Sequence, residues 1–301
     1  MSKQTTYILG IILTLVIGAF FYSKFCCLEC HQKKEEATIT TSEAKIELPN
    51  NQLELISKDF NYRSKNNFNF ALESFKTSLP IHKDINSGIE KLKLYFETNP
   101  NKRLTITGYA LKSEENHSAF PNLAFARAYF VKKYFISKGI SSNRFEIDGK
   151  IVNSWTIQSD TISGPINYSI TDNQITAKAQ DWNAIKDTIN GNPLLLYFNP
   201  NQSEIALTND ERQRIADFAE YLDNVPDAVI VCTGYTDNTG NKYQNIQLGQ
   251  DRADFVKAYL VQNGISEKRI QAFSKGQDDP IADNLTPEGK AKNRRTVITL
   301  K

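Results

Sequence analysis

The sequence predicts an α/β protein made of two tandem two-layer α/β sandwich domains of β-α-β-α-β-β order, preceded by one transmembrane helix. Three observations lead there. An uncharged apolar stretch stands near the N-terminus, two halves of the remaining chain repeat one another, and each half alternates short apolar runs with segments of helical periodicity.

The 301 residues are 40% hydrophobic, enough for two ordinary domains with real cores. The 36 basic and 34 acidic side chains are interspersed, with a formal charge of +2. The clustered positive footprint of a nucleic-acid binder is missing, and that class of partner is set aside.

From Gln4 to Ser23 no side chain is charged and most are aliphatic or aromatic. About 20 such residues suffice to cross hydrocarbon as a helix. Ser23-Lys24-Phe25-Cys26 offers neither a small-residue cleavage site nor a lipoprotein box, so residues 1–25 are expected to stay as an uncleaved membrane anchor. Cys26, Cys27 and Cys30 follow at once, and Cys27-Leu28-Glu29-Cys30-His31 has the spacing of a haem-attachment motif. A membrane-anchored electron carrier is therefore the alternative function. Against it, the motif runs into Gln32-Lys33-Lys34-Glu35-Glu36, where no haem pocket forms, and Met1 is the only methionine. Three cysteines and a histidine packed this tightly also do not surround a tetrahedral zinc ion. No cofactor and no metal are expected, and the cluster reads as a group of local thiols or a local disulfide. Residues 26–65, rich in Lys, Glu, Thr, Ser and Asn, read as a flexible linker.

The repeat is seen by aligning the two halves. Thr107-Gly108-Tyr109 answers Thr233-Gly234-Tyr235, and Leu123-x-x-x-Arg127-Ala128 answers Leu248-x-x-x-Arg252-Ala253. Phe130, Val131, Tyr134, Gly139 and Ile140 then answer Phe255, Val256, Tyr259, Gly264 and Ile265 at a constant offset of 125 positions. The first copy spans residues 66–171. Its Ile85, Ile89, Leu92 and Phe96 form a helical stripe, and Ile166 to Ile170 is its closing strand. After a linker over 172–184 comes the second copy, residues 185–301. There Leu194 to Phe198 is a short strand, and Thr208-Asn209-Asp210-Glu211 is a capping box opening a helix with Ile215, Phe218, Ala219 and Leu222 on one face. The apolar run Ala228 to Cys232 is a central strand in which Cys232 is a small core residue. A second helix over Leu248 to Leu260 ends at Gly264, where a left-handed cap belongs, and Arg269 to Lys275 and Arg294 to Leu300 supply the last strands.

The central strand runs into the turn Gly234-Tyr235-Thr236-Asp237-Asn238-Thr239-Gly240, and Arg252 stands on the next helix. A carboxylate in the turn and a guanidinium on the helix suit a ligand that carries both an ammonium and a carboxylate. Together with Asn245-x-x-Leu248-x-x-x-Arg252-Ala253, Pro280-Ile281-Ala282-Asp283-Asn284, Thr286-x-Glu288-Gly289 and Asn293-Arg294-Arg295, this set resembles the OmpA-like peptidoglycan-binding domain family over residues 194–300, with a degenerate copy at about 66–171. The resemblance implies that Asp237 and Arg252 hold the amino and carboxylate groups of diaminopimelate in the murein stem peptide, and that Thr236, Asn245, Leu248 and Arg294 line the same pocket. The chain departs from the family pattern at Gly249, where a Ser is usual, at Ser274, where a Gly is usual, and at Lys290, where an Arg is usual.

No nucleophile, general base or metal set accompanies these residues, and no histidine follows His117, so no catalysis is expected. The membrane span also lacks the acid that a proton-driven stator requires. The expected protein is a non-catalytic tether between a membrane and peptidoglycan, its domains periplasmic, with the inner membrane favoured over the outer. Asp237→Ala and Arg252→Ala are expected to abolish binding and leave the fold intact. The first copy has Leu111 where the second has Asp237, with Glu114 and Glu115 nearby in a longer loop. It is expected to fold alone without binding peptidoglycan, as a spacer or as a docking surface for another envelope protein.

Overall fold

Apolar runs become strands and periodic segments become helices in the computed structural model of the chain, which describes residues 51–155, 157–172 and 181–301. The membrane span at Gln4–Ser23, the Cys26, Cys27, Cys30 and His31 cluster and most of the first linker lie outside the described residues. Among the described residues no helix is long and apolar enough to cross a membrane.

The first lobe begins with strands β1 (Glu54–Ile56), β2 (Asn61–Arg63) and β3 (Asn69–Ala71), followed by helix α1 (Lys83–Thr98) and strand β4 (Lys102–Leu111). Helix α2 (Leu123–Ser137) and strands β5 (Phe145–Val152), β6 (Ile157–Gln158), β7 (Thr161–Ser163) and β8 (Ile166–Asp172) complete it. The second lobe comprises α3 (Trp182–Gly191), β9 (Leu194–Tyr197), α4 (Asn209–Asn224), β10 (Ile230–Tyr235), α5 (Lys242–Gln262), β11 (Ile270–Gly276), α6 (Pro287–Asn293) and β12 (Arg295–Leu300).

The two main sheets share a pattern. In each, a central strand (β4 or β10) pairs parallel with the strand after the next helix (β5 or β11) and antiparallel with the closing strand (β8 or β12). The parallel pair needs a helical crossover, and α2 and α5 supply it. The crossovers pack closely, because a Cβ on Gly108 would stand 2.0 Å from the Ala124 carbonyl oxygen and one on Gly234 1.8 Å from that of Gly249. The lobes differ at their first strand. β9 joins β12 and makes the second sheet four-stranded, whereas β3 pairs with β7 and leaves the main sheet of the first lobe with three strands.

The periodic stripes face inward as expected. Ile85, Ile89, Leu92 and Phe96 on α1 are buried, as are Ile215, Phe218, Ala219 and Leu222 on α4, whose capping box at Thr208 and Glu211 is formed. Gly264 takes the left-handed conformation with φ 89°, stopping α5 where the sequence places the stop.

Three boundaries need correction. Leu53 and Leu55 are fully buried and the β1–β2 hairpin extends the core of the first lobe, so the flexible linker does not reach residue 65. Their alternation is short and sits in polar composition, which hid it. Helix α3 starts inside the segment read as the 172–184 linker, capped by the Asp181 side chain. Nor are the two lobes separate domains. Ala119, Phe120, Ala126 and Tyr129 of the first lobe are buried in one apolar cluster with Ile215, Phe218, Leu222, Ala253 and Leu260 of the second. Across this seam the Ala119 amide donates to Asn263 Oδ1 (2.7 Å), the Tyr259 hydroxyl donates to the Ser118 carbonyl (3.2 Å), and Lys132 and Lys133 each place Nζ 3.0 Å from the buried Asp223 carboxylate. Burying a large apolar side chain contributes about 1.5–3 kcal/mol, so Phe120 and Tyr129 alone would cost several kcal/mol to expose.

Candidate functional site

At the C-terminal end of β10 the chain leaves the sheet at Thr236, crosses a tight turn and enters α5, whose N-cap is Asn241. This turn, the first turns of α5, the segment after β9 and the entry to β12 enclose a cleft of about 370 Å³. Thr236, Asp237, Asn245, Leu248, Arg252 and Arg294 all line it, so the six residues picked out in the sequence come together in one place.

The Asp237 side chain is only 11% exposed. Its Oδ1 accepts from the Thr239 amide at 2.8 Å and its Oδ2 accepts from Arg294 Nη1 at 2.9 Å. Burial pushes this carboxyl upward, but the Thr239 amide and the Arg294 guanidinium outweigh it and hold Asp237 below the usual carboxylate range. Arg294 is fixed in turn by donating Nε to the Phe198 carbonyl at 3.0 Å. The neighbouring Arg295 points the other way, its guanidinium 3.9 Å from the Tyr235 ring centroid, and belongs to the packing.

Arg252 is 0% exposed, a buried cation and not a rim residue. Its Nε donates to the Gln202 carbonyl (2.9 Å), Nη1 to Tyr235 (2.8 Å) and Nη2 to Asn199 (3.2 Å), and its plane lies over Phe198, 5.2 Å from the ring centroid. Guanidinium has five N–H donors, so two remain beyond these three bonds. Among the described residues no carboxylate forms an ion pair with it. Burial, with a smaller effect from the nearby Arg294 cation, pulls Arg252 down to about 10, opposed only by Asp237. The expectation that Arg252→Ala leaves the fold intact is therefore corrected, since truncation strands three backbone carbonyls.

Asn245 is held by donating Nδ2 to Gln277 Oε1 at 2.7 Å, and Lys290 reaches Thr239 Oγ1 at 3.2 Å. Thr239 of the turn and Lys290 also line the cleft, together with Pro200, Asn201, Leu285 and Pro287, which were not singled out in the sequence. Two of these four carried a signal. Asn201 has φ 56°, a conformation Asn tolerates after a Pro, and Leu285 is a lone apolar side chain, 88% exposed, inside a polar turn. The departures at Gly249 and Ser274 face one another, for a Cβ on Gly249 would lie 2.4 Å from Ser274 Oγ. With Ser274 in place, position 249 has no room for a side chain.

The OmpA family model matches residues 197–294, the segment that builds this cleft. That segment is an OmpA-like domain. Among curated proteins the chain is similar to the peptidoglycan-binding protein ArfA of Mycobacterium bovis, with 35% identity over 153 residues covering 51% of this chain and 43% of that protein. It is also similar to the sodium-type flagellar protein MotY of Vibrio parahaemolyticus, 43% identical over 96 residues covering 31% of this chain and 32% of that protein. Among solved structures, the peptidoglycan-associated lipoprotein from Burkholderia pseudomallei aligns at 27% identity and a TM-score of 0.33, over 36% of this chain and 89% of that one. The matched region spans less than half the length of these curated relatives.

Proposed function

We propose that the protein is a non-catalytic, peptidoglycan-binding component of the bacterial envelope, and that the cleft of its OmpA-like domain grips the zwitterionic end of diaminopimelate in the stem peptide. One observation carries the reading. Arg252 is a fully buried guanidinium without a carboxylate partner among the described residues, beside a buried Asp237 in the same cleft. A buried charge left unpaired is costly, and a ligand carboxylate seated on the two free N–H groups would remove that cost. The ligand's ammonium then has Asp237 as its counter-ion, with Arg294 holding the carboxylate in place until it arrives. Thr236, Asn245 and Leu248 shape the walls, and Leu285 offers an apolar rim.

The remaining chain supports a tether. Residues 1–25 would anchor it in a membrane, the inner one being favoured, and the following segment would let the folded part reach the wall. The first lobe is read as a degenerate copy of the OmpA-like domain that serves as a spacer or meets another envelope protein. Co-sedimentation with purified peptidoglycan sacculi, with free diaminopimelate as competitor, tests the proposal. Binding that diaminopimelate displaces supports it, and a protein that stays in the supernatant refutes it.

A further inference from the structure

The first lobe holds a second buried arginine in the same setting. Arg127 Nε donates to the Ser74 carbonyl (2.9 Å), Nη1 to Tyr109 (2.9 Å) and Nη2 to Ala71 (3.5 Å), and its plane lies over Phe70, 5.3 Å from the centroid. Phe70, Ala71 and Ser74 precede Phe198, Asn199 and Gln202 by a constant 128 positions, and Tyr109 is the counterpart of Tyr235. Each contact of Arg252 is thus reproduced, group for group. The difference lies on the cleft side. Arg127 is closed there by Glu114, whose Oε2 accepts from Nη1 at 3.0 Å and whose Oε1 accepts from Nη2. The Leu111 amide (2.8 Å) and the Glu73 amide (2.9 Å) complete the shell, and the Glu114 side chain is 2% exposed.

We propose that the first lobe retains a carboxylate-binding site whose ligand is its own Glu114, and that this internal ligand latches the loop over residues 112–122 against the second lobe. The bidentate pair satisfies both oxygens and both remaining guanidinium donors, as a bound carboxylate would. The loop it pins carries Ser118, Ala119 and Phe120, which make the seam contacts with Tyr259, Asn263 and the shared apolar cluster. Tyr259 and Asn263 lie on and just beyond the helix that bears Arg252. A site that elsewhere stays open to a ligand here holds the two lobes together. The inference does not depend on what the second-lobe cleft binds.

The test is hydrogen–deuterium exchange on the full-length protein, comparing the parent with Glu114→Ala in sodium chloride and in sodium formate at equal ionic strength. In chloride, amides of residues 112–120 in the variant should exchange at least tenfold faster than in the parent, while those of β10 and β11 keep their protection. Formate, which fits the vacated site, should restore protection in the variant and leave the parent unchanged. Unaltered exchange, or a loss that formate does not reverse, overturns the proposal. If Glu114→Ala does not fold, Glu114→Gln decides: it keeps the volume and one acceptor oxygen, for either the Leu111 or the Glu73 amide, but loses the charge and the bidentate pair. Faster loop exchange in it supports the latch, and exchange equal to the parent overturns it.

Discussion

Replacing Asp237 by Asn separates binding from folding more cleanly than any change at Arg252. Asn keeps an oxygen for the Thr239 amide and fills the same volume, but it removes the charge that faces Arg294 at 2.9 Å. Both side chains of that pair are nearly covered, so the lost charge-assisted bond should cost about 1–2 kcal/mol of stability. For a domain of this size that is a Tm lower by roughly 2–8 °C. If Asp237 is also the counter-ion of a ligand ammonium, binding should weaken by about 2–4 kcal/mol, on the order of 30- to 1000-fold. Sacculus co-sedimentation titrated against protein concentration reads the second quantity, and calorimetry reads the first. The pH profile supplies a check on sign. Because the folded state holds the Asp237 carboxyl below its ordinary value, its stabilising contribution is present above about pH 4 and is lost as pH falls through the folded value. The Tm gap between parent and variant should therefore close in acid. A variant that loses the stability but sediments like the parent would refute the role of Asp237 in the cleft.

Arg252→Lys keeps a charge but cannot reach the Asn199, Gln202 and Tyr235 carbonyls together; it should lose sacculus binding and about 2–4 kcal/mol of stability, read from the denaturant midpoint. Gly249→Ser overpacks against Ser274 and should cost about 1–3 kcal/mol, most of it recovered by adding Ser274→Gly, so a double-mutant cycle without coupling would disprove their compensation. Burial pushes the Cys232 thiol up to about 12, and native protein should resist thiol reagents at this position until it unfolds. Residues 66–171 expressed alone lack Leu55 and expose Phe120 and Tyr129, so they should fail to give the cooperative unfolding that residues 51–301 give by circular dichroism.

Much of the fold was legible because helices and strands write their burial at periods of 3.6 and 2 residues. The stripes on α1 and α4, the capping box at Thr208 and the stop at Gly264 are local signals that survive into the structure. The six cleft residues were legible for another reason, their order and spacing within a known pattern, which also selected Arg294 over Arg295. Strand alternation says that adjacent side chains diverge but does not say which one faces the cleft. What stayed hidden depends on contacts distant in sequence. Nothing local distinguishes Phe120 or Tyr129 from other core aromatics, so the shared core was read as two separate ones. The burial of Arg252 was hidden because two of the three carbonyls that hold it come from a segment 50 or more positions earlier.

The closing strand β12 lies inside its sheet, between β10 and β9, and the backbone of Lys301 still pairs with Val229. The second sheet thus cannot be assembled in the order in which the chain is made. Until residues 294–300 have emerged, β9 has no strand partner, β10 exposes one edge, and Asp237 lacks the arginine that steadies it. The cleft is complete only once β12 is in place. A chain without β12 therefore has no finished cleft, and deleting Arg294 to Leu300 would remove the cleft outright instead of weakening it.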